Sequence, residues 1–229
     1  MTQTFKEAFY FFRINLIKLL AYTFSIGLMI VLLAQLLVPL FFGGMSAEEI
    51  GPDTIRPFAQ MMNLVIQPFY AGGLITLLFS LATEQGRGIL ECLLTSLKRW
   101  PYMLLANVIT TFLIFCGLML FVLPGIWLFS RLFLVPYLVM LNKQTPFEAI
   151  VNSYHSTKNY SMTILIDIVI LIAIFFIFLL FLSVLQLAYP IFLLLFLLLF
   201  QTMAYVIYYR HYEILQGRKL QAVEDDASK

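Results

Sequence analysis

Two ionisable residues, Arg131 and Asp167, lie inside long apolar runs of the sequence. An ionised side chain at the centre of a membrane helix costs about 2.5–3.5 kcal/mol on insertion scales, so such residues are typical of ion pairs, binding cavities and proton pathways. A buried pair between Arg131 and Asp167 would join two helices. Alternatively, each side chain extends to its nearer membrane surface, or Asp167 is capped by a neighbouring hydroxyl.

Depth argues against a direct pair. Arg131 lies about six residues from the outer end of its predicted span and Asp167 about seven from the inner end of its own, which separates them by roughly 10–12 Å along the membrane normal. An arginine side chain reaches only about 6–7 Å, so pairing requires a helix broken near Pro124 or Pro136. We therefore expect Arg131 to point outward, toward the acidic residues of the predicted first loop, Glu48, Glu49 and Asp53.

Two amide side chains, Asn107 and Gln201, complete the candidate intramembrane polar site with Arg131 and Asp167. Gln35 and Gln186 are further amides in apolar surroundings. Such side chains line a polar cavity or hydrogen-bond across helices and stabilise their packing. Both interpretations stay open at this level.

Gly72 and Gly73, in the sequence Ala71-Gly72-Gly73, favour close approach of two helices. A phosphate-binding glycine loop lies between a strand and the start of a helix. The apolar runs of this sequence are long and show no alternation of polar and apolar residues, so no strand is predicted. We expect these glycines to be packing residues.

The sequence carries no motif typical of catalysis or of metal binding. His155 and His211 lie in the predicted cytoplasmic segments without cysteine or carboxylate ligands at suitable spacing. The two cysteines lie in segments of different predicted depth, which predicts free thiols. A net charge of +2 does not suggest a nucleic-acid partner. We expect no enzyme activity, no cofactor and no metal.

Composition places the chain in a membrane. Apolar residues make up 62% and charged residues 11% of the 229 residues, against about 45–50% and about 25% in soluble domains. Helices that cross a bilayer need about 20 apolar residues. The runs of that kind predict an all-α multi-pass protein with six spans, Leu19–Phe42, Gln60–Ala82, Tyr102–Leu123, Ile126–Leu141, Ser161–Val184 and Pro190–Tyr209.

The six spans are predicted to form three hairpins, and Pro124-Gly125 is the predicted turn of the second. Twelve of the 14 Lys and Arg residues then lie on the face that carries both termini, with only Arg56 on the other. The positive-inside rule makes the basic face cytoplasmic. That face can also bind anionic lipid headgroups.

An amphipathic segment precedes each predicted hairpin and is expected to lie at the cytoplasmic interface. The second and third such segments, ECLLTSL from Glu91 and EAIVNSY from Glu148, share the spacing Glu-x-x-x-x-Ser. We infer a single membrane domain, 1–229, built from three approximate repeats, 4–82, 88–142 and 145–209, with a short cytoplasmic tail, 210–229.

Several segments together resemble the YciC family of uncharacterised bacterial inner-membrane proteins. They are FFRINLIKLL from Phe11, AGG from Ala71, VLPGIWLFSRLFLVPYLVM from Val122, FEAIVNSYHSTKNY from Phe147 and YYRHYEILQ from Tyr208. A more distant resemblance is to the membrane domain of some glycerophosphodiester phosphodiesterases, whose catalytic barrel has no counterpart in this chain. The resemblance implies a bacterial inner-membrane location and a role in envelope or lipid homeostasis, and it carries over no active-site residue.

Two hypotheses about the function therefore remain. The first is a non-enzymatic membrane protein that acts through membrane lipids, a membrane-protein partner or a second copy of itself. The alternative is a small transporter or lipid-translocating protein with an intramembrane polar cavity formed by Arg131, Asp167, Asn107 and Gln201.

Overall fold

The computed structural model of the protein describes residues 3–43, 51–184 and 190–227, and these are 89% helical without a strand. They form α1 (Gln3–Ile14), α2 (Leu16–Phe41), α3 (Pro52–Ala82), α4 (Ile89–Leu120), α5 (Val122–Leu132), α6 (Val135–Met140), α7 (Pro146–Ser156), α8 (Ser161–Val184) and α9 (Pro190–Ala227). The predicted all-α class is confirmed for these residues.

Five segments of the described residues are long and apolar enough to cross a membrane: Leu16–Phe41, Asp53–Ala82, Ile89–Leu120, Val122–Met140 and Ser161–Leu182. The protein is thus a multi-pass membrane protein. The sixth predicted span, Pro190–Tyr209, falls within α9 and remains a prediction. Glu48, Glu49 and Gln186 lie outside the described residues.

The predicted interfacial helices differ from one another in the structure. The first and third occur as the separate helices α1 and α7, which end before α2 and α8 begin. The second is continuous with the span after it, and both form α4. Pro101 lies within α4, and the helix continues through it.

The turn of the second hairpin lies at Phe121, earlier than the predicted Pro124-Gly125. Phe121 is extended, with φ −164° and ψ 153°, and α5 begins at the next residue. Pro124 fits the first turn of α5 because the N–H that proline lacks has no partner within the helix there. A Cβ on Gly125 would contact the Leu118 side chain, so Gly125 allows α4 and α5 to meet closely.

The fourth predicted span, Ile126–Leu141, is broken into α5 and α6 by Phe133 and Leu134. Pro136 near the start of α6 explains the break, because it has no N–H for the Leu132 carbonyl and its ring would clash with that carbonyl in a continuous helix.

Helix α3 lies at the centre of the bundle, where every residue from Tyr70 to Leu78 is buried. It packs most extensively on α4. A Cβ on Gly72 would lie 2.5 Å from Ser96 Oγ of α4, and one on Gly73 would meet the Tyr22 hydroxyl of α2. The two glycines therefore lie where α3 is in closest contact with its neighbours.

Candidate intramembrane cavity

A cavity of about 380 Å³ lies between α3, α4, the α5–α6 break and α9. Its walls are mostly apolar, as is usual for ligand cavities of about 300–1,000 Å³. The polar residues of its lining are Gln67, Asn107, Thr110, Thr111, Tyr137, Gln201, Tyr205 and Tyr208. Both amides that the sequence singled out, Asn107 and Gln201, belong to this lining.

Helical periodicity brings these side chains into one cavity. On α4, Met103, Asn107, Thr110 and Ile114 recur three or four residues apart and so share one helix face. Gln201, Ala204, Tyr205 and Tyr208 follow the same spacing on α9. Two of the cavity's walls are therefore single helix faces, each of which carries one amide.

The polar groups of this cavity are incompletely satisfied. Within the described ranges, the side-chain amides of Asn107 and Gln201 have no hydrogen-bond partner in the protein. The Thr110 hydroxyl is a buried oxygen that also lacks a partner among the described residues. In a bilayer an unsatisfied polar group costs several kcal/mol, so this cavity is suited to a guest with hydrogen-bonding groups.

Hydrogen bonds to Tyr205 connect three helices at the edge of the cavity. Gln67 Nε2 donates to the Tyr205 hydroxyl over 3.3 Å, and the Tyr137 hydroxyl donates to the Tyr205 carbonyl over 2.8 Å. These bonds join α3 and α6 to α9, and they fix the walls relative to one another.

A second cavity of about 280 Å³ adjoins the first between α4, α5, α8 and α9. The two share five lining residues, Ile114, Phe129, Phe200, Ala204 and Tyr208. Almost all of the second cavity's surface is apolar, with side chains such as Leu118, Ile168 and Phe175. The first cavity therefore carries the polar side chains, and its neighbour is almost entirely apolar.

Arg131 does not line either cavity and does not point outward as expected. It is 7% exposed and lies in the last turn of α5, at the opposite end of that helix from the turn at Phe121. Its guanidinium lies over the rings of Trp127 and Tyr154, at 4.8 and 5.2 Å, and Nη1 donates to the Tyr154 carbonyl over 3.4 Å. The expected direction was wrong because Tyr154 of α7 lies beside the guanidinium, together with Trp127 of α5 itself.

The carbonyl of Arg131, at the end of α5, accepts hydrogen bonds from α7. Ser153 Oγ donates to it over 2.6 Å and Thr157 Oγ1 over 3.3 Å. The last carbonyls of a helix have no partner within that helix, so these hydroxyls compensate for the break between α5 and α6. Thr145 and Glu148 form a capping box that begins α7 and holds it in place.

Asp167 forms a hydrogen bond with His211 rather than a pair with the arginine. His211 Nε2 lies 2.9 Å from Asp167 Oδ2, and their side chains are 0% and 1% exposed. The His211 ring also meets Phe133 and Tyr160 edge-on. This pair connects α8 to α9 next to the α5–α6 break, and it does not line the cavities.

Sequence reasoning missed His211 because it placed this residue beyond the end of the sixth span at Tyr209. Helix α9 instead continues to Ala227. The available signal was depth: His211 comes two residues after the predicted inner end of its span, and Asp167 lies on the inner half of its own.

A charged cluster connects the two ends of the chain. Arg210 of α9 pairs with Glu7 of α1 at 2.9 Å and with Glu213 at 2.6 Å. Among the residues that the structure describes, no three His, Cys, Asp or Glu side chains are grouped so that they could hold a metal ion.

The fold and the cavity define a class, multi-pass helical membrane proteins with a partly polar intramembrane cavity. The chain belongs to an uncharacterised protein family, UPF0259, whose family model matches residues 55–213. The match contains both cavities and the Asp167–His211 pair. Neither the curated proteins nor the solved structures gave a match.

Proposed function

We propose that this protein is a lipid-binding membrane protein that admits a lipid from the bilayer into the cavity between α3, α4 and α9. The observation that carries the proposal is that Asn107 and Gln201 place unpaired amide groups in one cavity. Their hydrogen-bonding capacity matches a lipid with a polar group, whereas a purely apolar guest would leave them unsatisfied.

The proposed role is binding and not catalysis. The cavity's polar side chains are amides, hydroxyls and phenols. Amides and alcohol hydroxyls donate and accept hydrogen bonds without exchanging protons near neutral pH, and a phenol has an ordinary pKa of about 10. Such groups orient a ligand. A role in handling lipids also fits the resemblance to the YciC family and its implied place in envelope homeostasis.

We place the protein in the bacterial inner membrane with both termini in the cytoplasm and with α9 providing the sixth span. The support is the positive-inside distribution of twelve basic residues. On that face, α1 and α7 would lie along the headgroups, and the basic side chains would contact anionic lipids. A membrane-protein partner or a second copy of the chain would act on the bound lipid.

Cavity filling tests the proposal. Ala204 lines both cavities, so Ala204→Phe should exclude the guest, whereas Ala21→Phe on the exposed face of α2 is a matched control. After purification in mild detergent, native mass spectrometry should find bound lipid on the unmodified protein and on Ala21→Phe, and should find it lost from Ala204→Phe. Recovery of the unmodified protein without lipid, or equal lipid on Ala204→Phe, would refute the proposal.

Translocation of the bound lipid is a second candidate function, and the α5–α6 break favours it. Phe133 in this break lines the cavity, so bending there would change the cavity's shape. Proteoliposomes that contain the unmodified protein should then equilibrate a fluorescent lipid between leaflets faster than those with Ala204→Phe. If the two proteins equilibrate the lipid at equal rates, the protein binds lipid but does not translocate it.

A further inference from the structure

We infer that the ligand of this cavity is a neutral amphiphile with one hydrocarbon chain, whose uncharged polar group lies at Asn107 and Gln201 and whose chain extends into the adjoining apolar cavity. This inference rests on the proposed function and names the class of lipid. It is carried by the chemistry of the lining, by its depth and by the second cavity.

The lining selects an uncharged polar group. It contains no Asp, Glu, Lys, Arg or His residue. An ionised headgroup would therefore be desolvated without a counter-charge, which is strongly unfavourable inside a membrane. A carboxamide offers both N–H donors and a carbonyl acceptor, so alcohol, ester, ketone and amide groups are all suitable partners.

Charged side chains outside the cavity are engaged elsewhere. The guanidinium of Arg131 lies against the rings of Trp127 and Tyr154, and Asp167 pairs with His211. Neither residue belongs to the lining of the first cavity. The site therefore provides hydrogen bonds without charge.

Depth leads to the same ligand class. Asn107 lies thirteen residues before Leu120, the last residue of α4, which places it about 20 Å from that end of the helix. In a hydrocarbon core about 30 Å thick, this leaves about 10 Å to the other boundary, so the amide lies below the headgroup layer. A phospholipid headgroup would have to leave its interface to reach the amide, whereas a small neutral group would not.

The second cavity accommodates the hydrocarbon chain. It begins at the shared lining of Ile114, Phe129, Phe200, Ala204 and Tyr208 and continues between apolar side chains of α4, α5 and α8. This continuation is a single apolar space of about 280 Å³. One chain can fill it, and burial of a chain contributes about 0.8 kcal/mol per methylene group.

A matched pair of probes tests the inference. Oleyl alcohol and oleate have the same chain and differ in whether the polar group is neutral or, at pH 8, ionised. Equilibrium binding of the radiolabelled probes to the detergent-solubilised full chain should show oleyl alcohol bound at least about tenfold more tightly than oleate, because desolvating the carboxylate costs more than one factor of ten. Equal binding, or tighter binding of oleate, would overturn the neutral-ligand assignment.

Two variants test the site itself. Asn107→Leu combined with Gln201→Leu should weaken oleyl alcohol binding at least about tenfold, because the ligand would lose its hydrogen bonds to both amides. Gln35→Leu, which removes an exposed amide from α2, should leave it unchanged. Unchanged binding in a folded double variant would refute the placement of the polar group. If the double variant does not fold, Asn107→Ser and Gln201→Met are measured singly. If both bind oleyl alcohol as tightly as the unmodified protein does, the placement of the polar group is refuted as well.

The results separate the class of lipid from the proposed function. If Ala204→Phe loses its copurified lipid but the two probes bind equally, only the neutral-ligand inference is refuted. If no lipid copurifies and neither probe binds, both the proposed function and the neutral-ligand inference are refuted.

Discussion

Ser96 and Ser153 each donate a hydrogen bond to a main-chain carbonyl in an earlier helix, Ser96 to Phe69 over 2.7 Å and Ser153 to Arg131 over 2.6 Å. Both side chains are fully buried. They are the serines of the two segments with Glu-x-x-x-x-Ser spacing, ECLLTSL and EAIVNSY. The shared contact gives that spacing a physical role, and the threefold repeat stays a prediction that it supports.

Ser153→Ala and Ser96→Ala should each reduce the free energy of unfolding by about 1–3 kcal/mol, because each leaves a buried carbonyl with one donor fewer. Thermal unfolding in detergent measures the loss. Ser25→Ala is the control, since the exposed Ser25 bonds only to Ala21 of its own helix. Effects of the same size at Ser25 would contradict the role of the interhelical bonds.

Gly73→Ala should destabilise the bundle by about 1–3 kcal/mol, as overpacking does in a close-packed interior. Its new Cβ would collide with the Tyr22 hydroxyl and crowd Leu93. Gly88→Ala provides the comparison, because open space surrounds that position. Equal melting temperatures for the two variants would argue against close packing at Gly73.

The Asp167–His211 pair should behave as a coupled unit. Asp167→Leu alone should cost about 3–5 kcal/mol of unfolding free energy, as expected when a buried pair loses one partner. The double variant Asp167→Leu with His211→Phe should cost less than the sum of the single changes.

The exposed pair of Arg87 and Glu91, 3.8 Å apart, is the control for that cycle. Its neutralisation by Glu91→Gln should cost no more than about 1 kcal/mol. Additive effects of the changes at Asp167 and His211 would show that the two residues are energetically independent.

Arg131→Lys should destabilise the protein although the charge is kept. A lysine loses the guanidinium that lies over the Trp127 and Tyr154 rings, a cation–π contact worth about 0.5–2 kcal/mol. In a Trp100→Phe background, the emission of Trp127 should shift as well. The Arg99 guanidinium lies 5.5 Å from the Tyr102 ring, and Arg99→Lys should lower the stability less. A larger loss of stability at Arg99 than at Arg131 would argue against the cation–π contact at Arg131.

Glu148 should make the stability of α7 depend on pH. A hydrogen bond from the Thr145 main chain, and a second from its side chain, hold the pKa of Glu148 below its usual range. A lowered pKa stabilises the folded state above the unfolded value of about 4.3 and loses this effect as the pH falls through the folded pKa. The unmodified protein should thus melt higher than Glu148→Gln at pH 7, and this difference should shrink as the pH falls through the folded pKa. A constant difference would contradict the capping box.

Periodicity was sufficient to predict the class and part of the site. Long apolar runs specify membrane helices, and three- to four-residue spacing specifies their faces. That is why Asn107 and Gln201, chosen as amides in apolar surroundings, lie in one cavity. Helix ends were less predictable, because Pro101 and Pro124 are both accommodated inside helices.

The charged residues required three-dimensional information. The depth estimate for Arg131 assumed a span that began at Ile126, whereas α5 begins at Val122 and places the guanidinium beside α7. No local pattern states that α7 packs against α5. The partner of Asp167 was missed for a related reason, since the pattern of α9 turns polar before His211 while the helix itself continues.

Phe133 links the two unusual features of this protein, because it lines the cavity and its ring meets the His211 ring nearly at right angles, 6.0 Å between ring centroids. Its backbone belongs to neither α5 nor α6. A guest in the cavity that turns this ring would alter the ring current felt by the imidazole protons. Nuclear magnetic resonance of His211 is therefore an intrinsic reporter of cavity occupancy, in a chain that has only two histidines to assign.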